Sequence, residues 1–234
     1  MYISYKPLAV FWRIIISLTG TIALLFTFGL TQAKFQTIQL EFFYNLITIL
    51  TVVYYYVLSF WQINDTKKEK TCLLPWLKGM LTVSCAGIFI ITYFFINHQQ
   101  IPRWDNYFIA NITHYVIPAM VVIDWFLFDK KGFFKPFFPI IWIIPAMLYT
   151  VYSYVSVLVL HRTIKLEGSF CYPISGCGNY PYPFFNMELN GISNTIGKLL
   201  LFALVFIVFG YIMYFIDIIP SKVGGFLSSR KKSE

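Results

Sequence analysis

Apolar residues in this chain fall into six long runs separated by short clusters of charge, near positions 11–30, 40–61, 76–96, 107–128, 137–160 and 196–219. Each run is about 20 residues long, which at 1.5 Å per helical residue crosses a hydrocarbon core of about 30 Å. None shows the strict alternation of a barrel strand, so backbone polar groups must be satisfied inside helices. The pattern therefore predicts an all-α, polytopic membrane helix bundle of six transmembrane helices, a single integral membrane domain over 1–234. The first run has the length of a full span and lacks a small-residue cleavage site, so it reads as a retained anchor. The longest connection, 161–195, precedes the last span.

Composition sharpens this. The chain is 58% hydrophobic, 21% aromatic and 12% charged, whereas water-facing domains carry about 25% charged residues. No stretch remains from which a separate soluble catalytic or nucleic-acid-binding domain could be built. The net charge of +8 is then a statement about topology. Of the 18 cationic residues, thirteen fall on the side of the termini, among them Lys6, Arg13, Lys78 and Lys130. Five fall on the other side: Lys34, Arg103, Arg162, Lys165 and Lys198. The excess predicts cytoplasmic termini in a multi-pass protein of the cell membrane. The basic balance thus needs no nucleic-acid partner, and the 230–232 tail suits anionic headgroups.

Cys171 and Cys177 share the long loop that this topology puts outside, where an oxidising compartment favours a disulfide; the alternative is two free thiols. Cys72 and Cys85 are assigned to an inner loop and the third span. No second ligand pair at tetrahedral spacing accompanies Cys171 and Cys177, so neither a metal nor another cofactor is expected. Prolines and aromatics crowd 171–186, which reads either as a lid over the outer end of the bundle or as a re-entrant segment that only seals it. No duplicated block with matched Gly/Pro-broken spans is visible, which lowers a transporter reading.

Polar side chains at membrane depth are costly, so each one inside a span raises a functional question. The fourth span carries Asn111, His114 and Pro118 at helical spacing on one face, with His114 about 10 Å below the outer boundary. His114 reads as a base or proton carrier facing the bundle interior, against the plainer reading of a helix-gluing hydrogen-bonder. Asp124, about 15 Å further along the axis, is too far to bond His114. It is expected to pair with Lys130 or cap a neighbouring helix. The second span opens with Glu41, Tyr44, Asn45 and Thr48 as one polar stripe at the depth of His114. Glu188, Asp217 and Asp105 lie near span ends and are expected to be solvated, as are the lysine-rich connectors such as 129–132.

Asn111-x-x-His114 with Pro118 and Asp124-Trp125, and Tyr180-Pro181-Tyr182-Pro183-Phe184-Phe185-Asn186 before a final span, resemble the androgen-induced protein family and its bacterial six-helix relatives. The resemblance runs from the second span to the last. It implies an intramembrane hydrolase of fatty-acid esters of hydroxy fatty acids that uses a Thr nucleophile and a His. The family histidine matches His114. Where the threonine is expected, Glu41 or Tyr44 stands instead, depending on register; Thr48, one turn from Tyr44, is a spatial substitute, and Thr37 is another candidate if the helix starts earlier. Asn186 stands where relatives often have Asp.

On that reading His114 and Thr48 are the candidate catalytic pair, and Tyr44, Asn45 and Asn111 contact the substrate, with membrane lipids or fatty-acyl esters as partners. The competing readings are a non-enzymatic lipid- or small-molecule-binding or transport protein on the same scaffold, and a structural subunit. The sequence does not specify an oligomeric state.

Overall fold

The computed structural model describes residues 3–33, 35, 37–65, 71–96, 104–161 and 179–230. Six helical segments are long and apolar enough to cross a membrane, and no strand occurs among the described residues. Helix α1 (Lys6–Thr27) is followed by 3₁₀ turns at Leu30–Gln32 and Thr37–Glu41 and then by α2 (Phe43–Asn64). Helix α3 (Pro75–Ile91) continues into a π-turn, Thr92–Ile96. The fourth span joins α4 (Trp104–Asn111), a π-turn (Ile112–Val116) and α5 (Ile117–Phe128). The fifth joins α6 (Phe138–Ile141), α7 (Ile144–Tyr154) and a third π-turn, Val155–Val159. The four-residue α8 (Met187–Asn190) precedes α9 (Ile192–Arg230). Cys171 and Cys177 lie outside the described residues; Cys72 and Cys85 are free thiols.

Local chemistry sets these boundaries. Pro7 sits in the first turn of α1, where its missing N–H costs nothing. The first span therefore starts at Lys6, five residues earlier than its apolar run suggested. It closes before Gly29, whose φ of 69° supplies the left-handed cap. In the fourth span, Pro118 cannot donate to the carbonyl four residues back and would crowd it. The helix accommodates this by widening just before it, so that Ile117 N–H reaches Ile112 O. In the fifth span, Pro145 follows the Trp142–Ile143 break between α6 and α7 by the same physics.

Backbone and side-chain bonds join the start of α1 to the ends of α2 and α5: Lys6 Nζ donates to Asp65 O at 2.5 Å and Ile3 N to Leu127 O at 2.7 Å. This end of the bundle is called proximal below, and the opposite end distal. Helix α3 runs through the middle, with 61% of its apolar window buried, whereas the last span is peripheral at 22%. Small residues allow close packing around α3. A Cβ on Gly87 would lie 2.5 Å from the Phe206 ring of α9, and one on Gly79 would run into the Trp142 indole. Trp142 is fully buried and donates from Nε1 to Trp76 O at 2.9 Å.

Asp217, expected to be solvated, is instead buried in α9. Its Oδ2 accepts from Gly132 N at 3.0 Å and Phe134 N at 2.9 Å. It ties the loop before α6 to the last span, which gives two otherwise unpaired loop amides a strong acceptor. Glu188 is exposed as expected.

Because Gly87 already touches the Phe206 ring, Gly87→Leu should overpack the α3–α9 contact and cost about 1–3 kcal/mol. Thermal unfolding in detergent should show a lowered midpoint; an unchanged midpoint would mean that this contact yields freely.

Candidate functional site

Two polar assemblies stand out against the apolar bundle. At the proximal end, four charged side chains meet with almost no exposure. Arg13 of α1 donates from Nε to Asp124 Oδ1 at 2.9 Å and from Nη2 to Asp129 Oδ1 at 2.9 Å. Lys78 of α3 reaches Asp124 Oδ2 at 2.5 Å and Asp129 Oδ1 at 2.7 Å. Arg13 Nη1 also donates to Thr71 O at 3.0 Å, and Tyr55 of α2 donates to Asp124 Oδ2 at 3.1 Å.

The set is neutral, two cations against two anions, and it ties α1, α2, α3 and α5 together. Neutrality is what the environment demands, because a single unpaired charge taken out of water costs several kcal/mol. Asp124 thus pairs with Arg13 and Lys78 rather than with Lys130. Asp129 belongs to the network rather than to a solvated connector. Arg13 and Lys78 are bundle residues, not loop cations. Next to the network Cys72 is half-buried, and burial first, then the Asp129 carboxylate, pushes its thiol up to about 12.

At the distal end a cavity of about 330 Å³ opens among α2, α3, the fourth span, α7, the 182–185 segment and α9. Its floor is aromatic, with Tyr44, Tyr149, Phe185 and Phe206 buried and Phe43 half-buried. Its rim includes Met147, Val151, Ile196 and Leu200, which are 47–65% exposed on the apolar outside of α7 and α9. The cavity therefore faces sideways, toward where lipid would lie, and not along the bundle axis.

His114 lines this cavity from the π-turn created ahead of Pro118. Its Nδ1 lies 2.8 Å from Ala110 O and 3.1 Å from Thr113 Oγ1. A carbonyl only accepts, so Nδ1 carries the proton, and in the neutral ring Nε2 holds the lone pair. The ring packs on Tyr44 with centroids 4.1 Å apart and planes tilted by 45°. Tyr149 donates its hydroxyl to Glu41 O at 2.6 Å, which fixes the floor to the turn before α2.

The other sequence candidates are distributed around this site. Tyr44 lines the cavity, with its hydroxyl 3.5 Å from Gln39 Oε1. Thr48 is buried and donates to Tyr44 O at 2.7 Å, so its hydroxyl is spent on its own helix and it is not among the lining residues. Asn45 points back to the preceding turn, with Nδ2 2.8 Å from Gln39 O. Asn111 is half-buried and also off the lining. Asn186 caps α8, its Oδ1 accepting from Glu188 N at 3.0 Å and Leu189 N at 3.2 Å. Of the long loop, the described part folds inward: Tyr182 and Phe184 stack at 5.1 Å, and Phe184 meets Phe202 of α9 at 4.7 Å.

Sequence reasoning missed Thr92, Tyr149 and Thr150 in the lining. A lone Thr or Tyr in a span carries no signal of which way it faces. It also missed Arg13 and Lys78 as partners of Asp124, for which a signal existed: an acid at membrane depth calls for a cation at the same level.

Arg13→Met should leave the network with an uncompensated negative charge and cost about 3–5 kcal/mol. The neutral double variant Arg13→Met/Asp129→Asn should recover part of that loss. Thermal midpoints in detergent test this, and strictly additive losses would contradict a charge-balance origin.

No protein-family model, curated protein or solved structure matches this chain.

Proposed function

We propose that this integral membrane protein binds the hydrocarbon chain of a membrane lipid in the distal cavity, entering sideways between α7 and α9. The observation that carries the reading is the cavity's shape: a largely buried aromatic floor and a rim of exposed apolar residues, Met147, Val151, Ile196 and Leu200. Ligand sites are concave, mostly apolar and about 300–1,000 Å³ in size. A volume of about 330 Å³ holds on the order of ten methylene groups, taking each as comparable with the roughly 30 Å³ of a water in the liquid. The proposed topology keeps the termini in the cytoplasm of a cell-membrane protein. With Arg13 and Lys78 assigned to the buried network, eleven cationic residues still stand on the side of the termini against five on the other. The cavity then lies in the outer half of the bilayer.

A second reading, ester hydrolysis of the bound lipid, is favoured by one specific observation: the imidazole of His114 lines the cavity with its Nδ1 held by Ala110 O. Nε2 is then the basic nitrogen. A hydroxyl would pass its proton to Nε2 while its oxygen attacked the ester carbonyl; the ester C–O bond would break with that proton returned to the departing alcohol, and water would then hydrolyse the acyl-enzyme, freeing the acid and restoring the hydroxyl. This reading carries the relationship to the androgen-induced protein family. Thr48 spends its hydroxyl on Tyr44 O, which favours chain binding as the primary reading.

Binding is tested with a photoreactive long-chain lipid in nanodiscs. Labelling should concentrate on α7 and α9 peptides and fall at least about tenfold in Ala203→Trp, whose indole fills the cavity; equal labelling of both proteins would remove the proposal. Hydrolysis is tested with a fluorophosphonate probe. The wild type should label and His114→Ala should not, and a folded wild type that stays unlabelled speaks against the enzymatic reading.

A further inference from the structure

Five threonines of the spans share one habit. Thr21, Thr48, Thr82 and Thr150 each donate their hydroxyl to the carbonyl four residues back, at 2.7–2.8 Å. Thr113 does the same more weakly, at 3.3 Å to Ile109 O, and shares its hydroxyl with Ala110 O at 3.1 Å. Such back-bonding hides a hydroxyl from an apolar environment. Thr51, bonded to Cys85 Sγ, and the buried, unpartnered Thr195 do not follow it, but neither lines the cavity; Thr92 does not follow it and does line it. It opens the π-turn after α3, its backbone N–H bonds to Ile88 O and Phe89 O, and its hydroxyl has no hydrogen-bond partner among the described residues. Thr92 is 8% exposed and lines the cavity. Unlike the enclosed hydroxyls of Ser153 and Thr195, that of Thr92 opens on the cavity, where a ligand oxygen can accept its proton.

The rest of the lining says what kind of oxygen. No Lys, Arg, Asp or Glu is among the lining residues. The polar groups that are there are already engaged with the protein: Tyr149 with Glu41 O, Thr150 with Ala146 O, and His114 Nδ1 with Ala110 O. A carboxylate or phosphate drawn in would be a desolvated anion without a permanent counter-charge. An uncharged oxygen meets no such penalty.

Resting on the chain-binding reading above, we infer that the cavity selects a single-chain lipid ending in an uncharged oxygen, with the Thr92 hydroxyl as the hydrogen-bond donor that recognises it. A long-chain alcohol is the simplest member of the class. Free fatty acids in their ionised form and phospholipid headgroups are excluded from the cavity by the missing counter-charge. The hydrocarbon chain occupies the aromatic floor and the rim, so chain burial supplies affinity and Thr92 supplies the choice of headgroup.

The test is competition in nanodiscs at pH 8, with cavity peptides labelled by a diazirine-bearing long-chain alcohol. Unlabelled 1-dodecanol should compete about five- to tenfold better than dodecane, the worth of one hydrogen bond. Dodecanoate should compete at least about tenfold more weakly than 1-dodecanol. Thr92→Val should abolish the advantage of the alcohol and leave dodecane unchanged. If Thr92→Val also loses dodecane, the cavity itself is damaged and Thr92→Ser decides: it must keep the alcohol advantage. Equal competition by alcohol and alkane, preference for dodecanoate, or an alcohol advantage that survives Thr92→Val would overturn the inference while leaving chain binding intact. Failure of all three compounds to compete would instead overturn the chain-binding reading.

Discussion

Four charges buried in a bundle built for lipid must cancel one another, and this constraint organises the proximal half of the protein. Arg13, Lys78, Asp124 and Asp129 come from α1, α3 and the end of α5, and each is useless or harmful without the others. Satisfying them fixes the relative height of three spans, and Tyr55 brings in the second. The bilayer supplies little hydrophobic drive between helices, since lipid tails are as apolar as leucine. Directional polar contacts and close packing at Gly79 and Gly87 therefore carry the specificity of assembly.

The distal half is built on the opposite principle. It is packed mainly through aromatic rings, with single hydrogen bonds such as Tyr149 to Glu41 O and Tyr154 to Phe185 O between them, and it leaves a cavity open toward the lipid side. Three π-turns, Thr92–Ile96, Ile112–Val116 and Val155–Val159, cluster in this half. Wider turns of this kind re-aim side chains and recur at functional sites. Here two of them present Thr92 and His114 to the same cavity. A rigid, charge-locked end and a looser aromatic end within one bundle suit a protein that admits a ligand at one end without losing its fold at the other.

The six spans were legible because the requirement for about 20 apolar residues leaves little freedom. Their ends shifted where a backbone effect outranked hydropathy, as with Pro7 in the first turn of α1 and Gly29 after it. His114 stood out in the sequence because an imidazole at depth is expensive. Arg13 and Lys78 did not, since a cation near the end of a span has the same appearance whether it marks topology or pairs with an acid. The cavity was invisible for a different reason: its lining comes from segments far apart in the chain, and an inward Phe206 reads no differently from an outward Phe215.

The central claim is that the distal cavity is the seat of a lipid chain. A cryo-electron microscopy map of the protein purified into native-lipid nanodiscs tests it most directly. The account predicts elongated density running from the gap between α7 and α9 to Thr92 and His114. A map in which Met147 and Leu200 close together over a collapsed, empty cavity would contradict it.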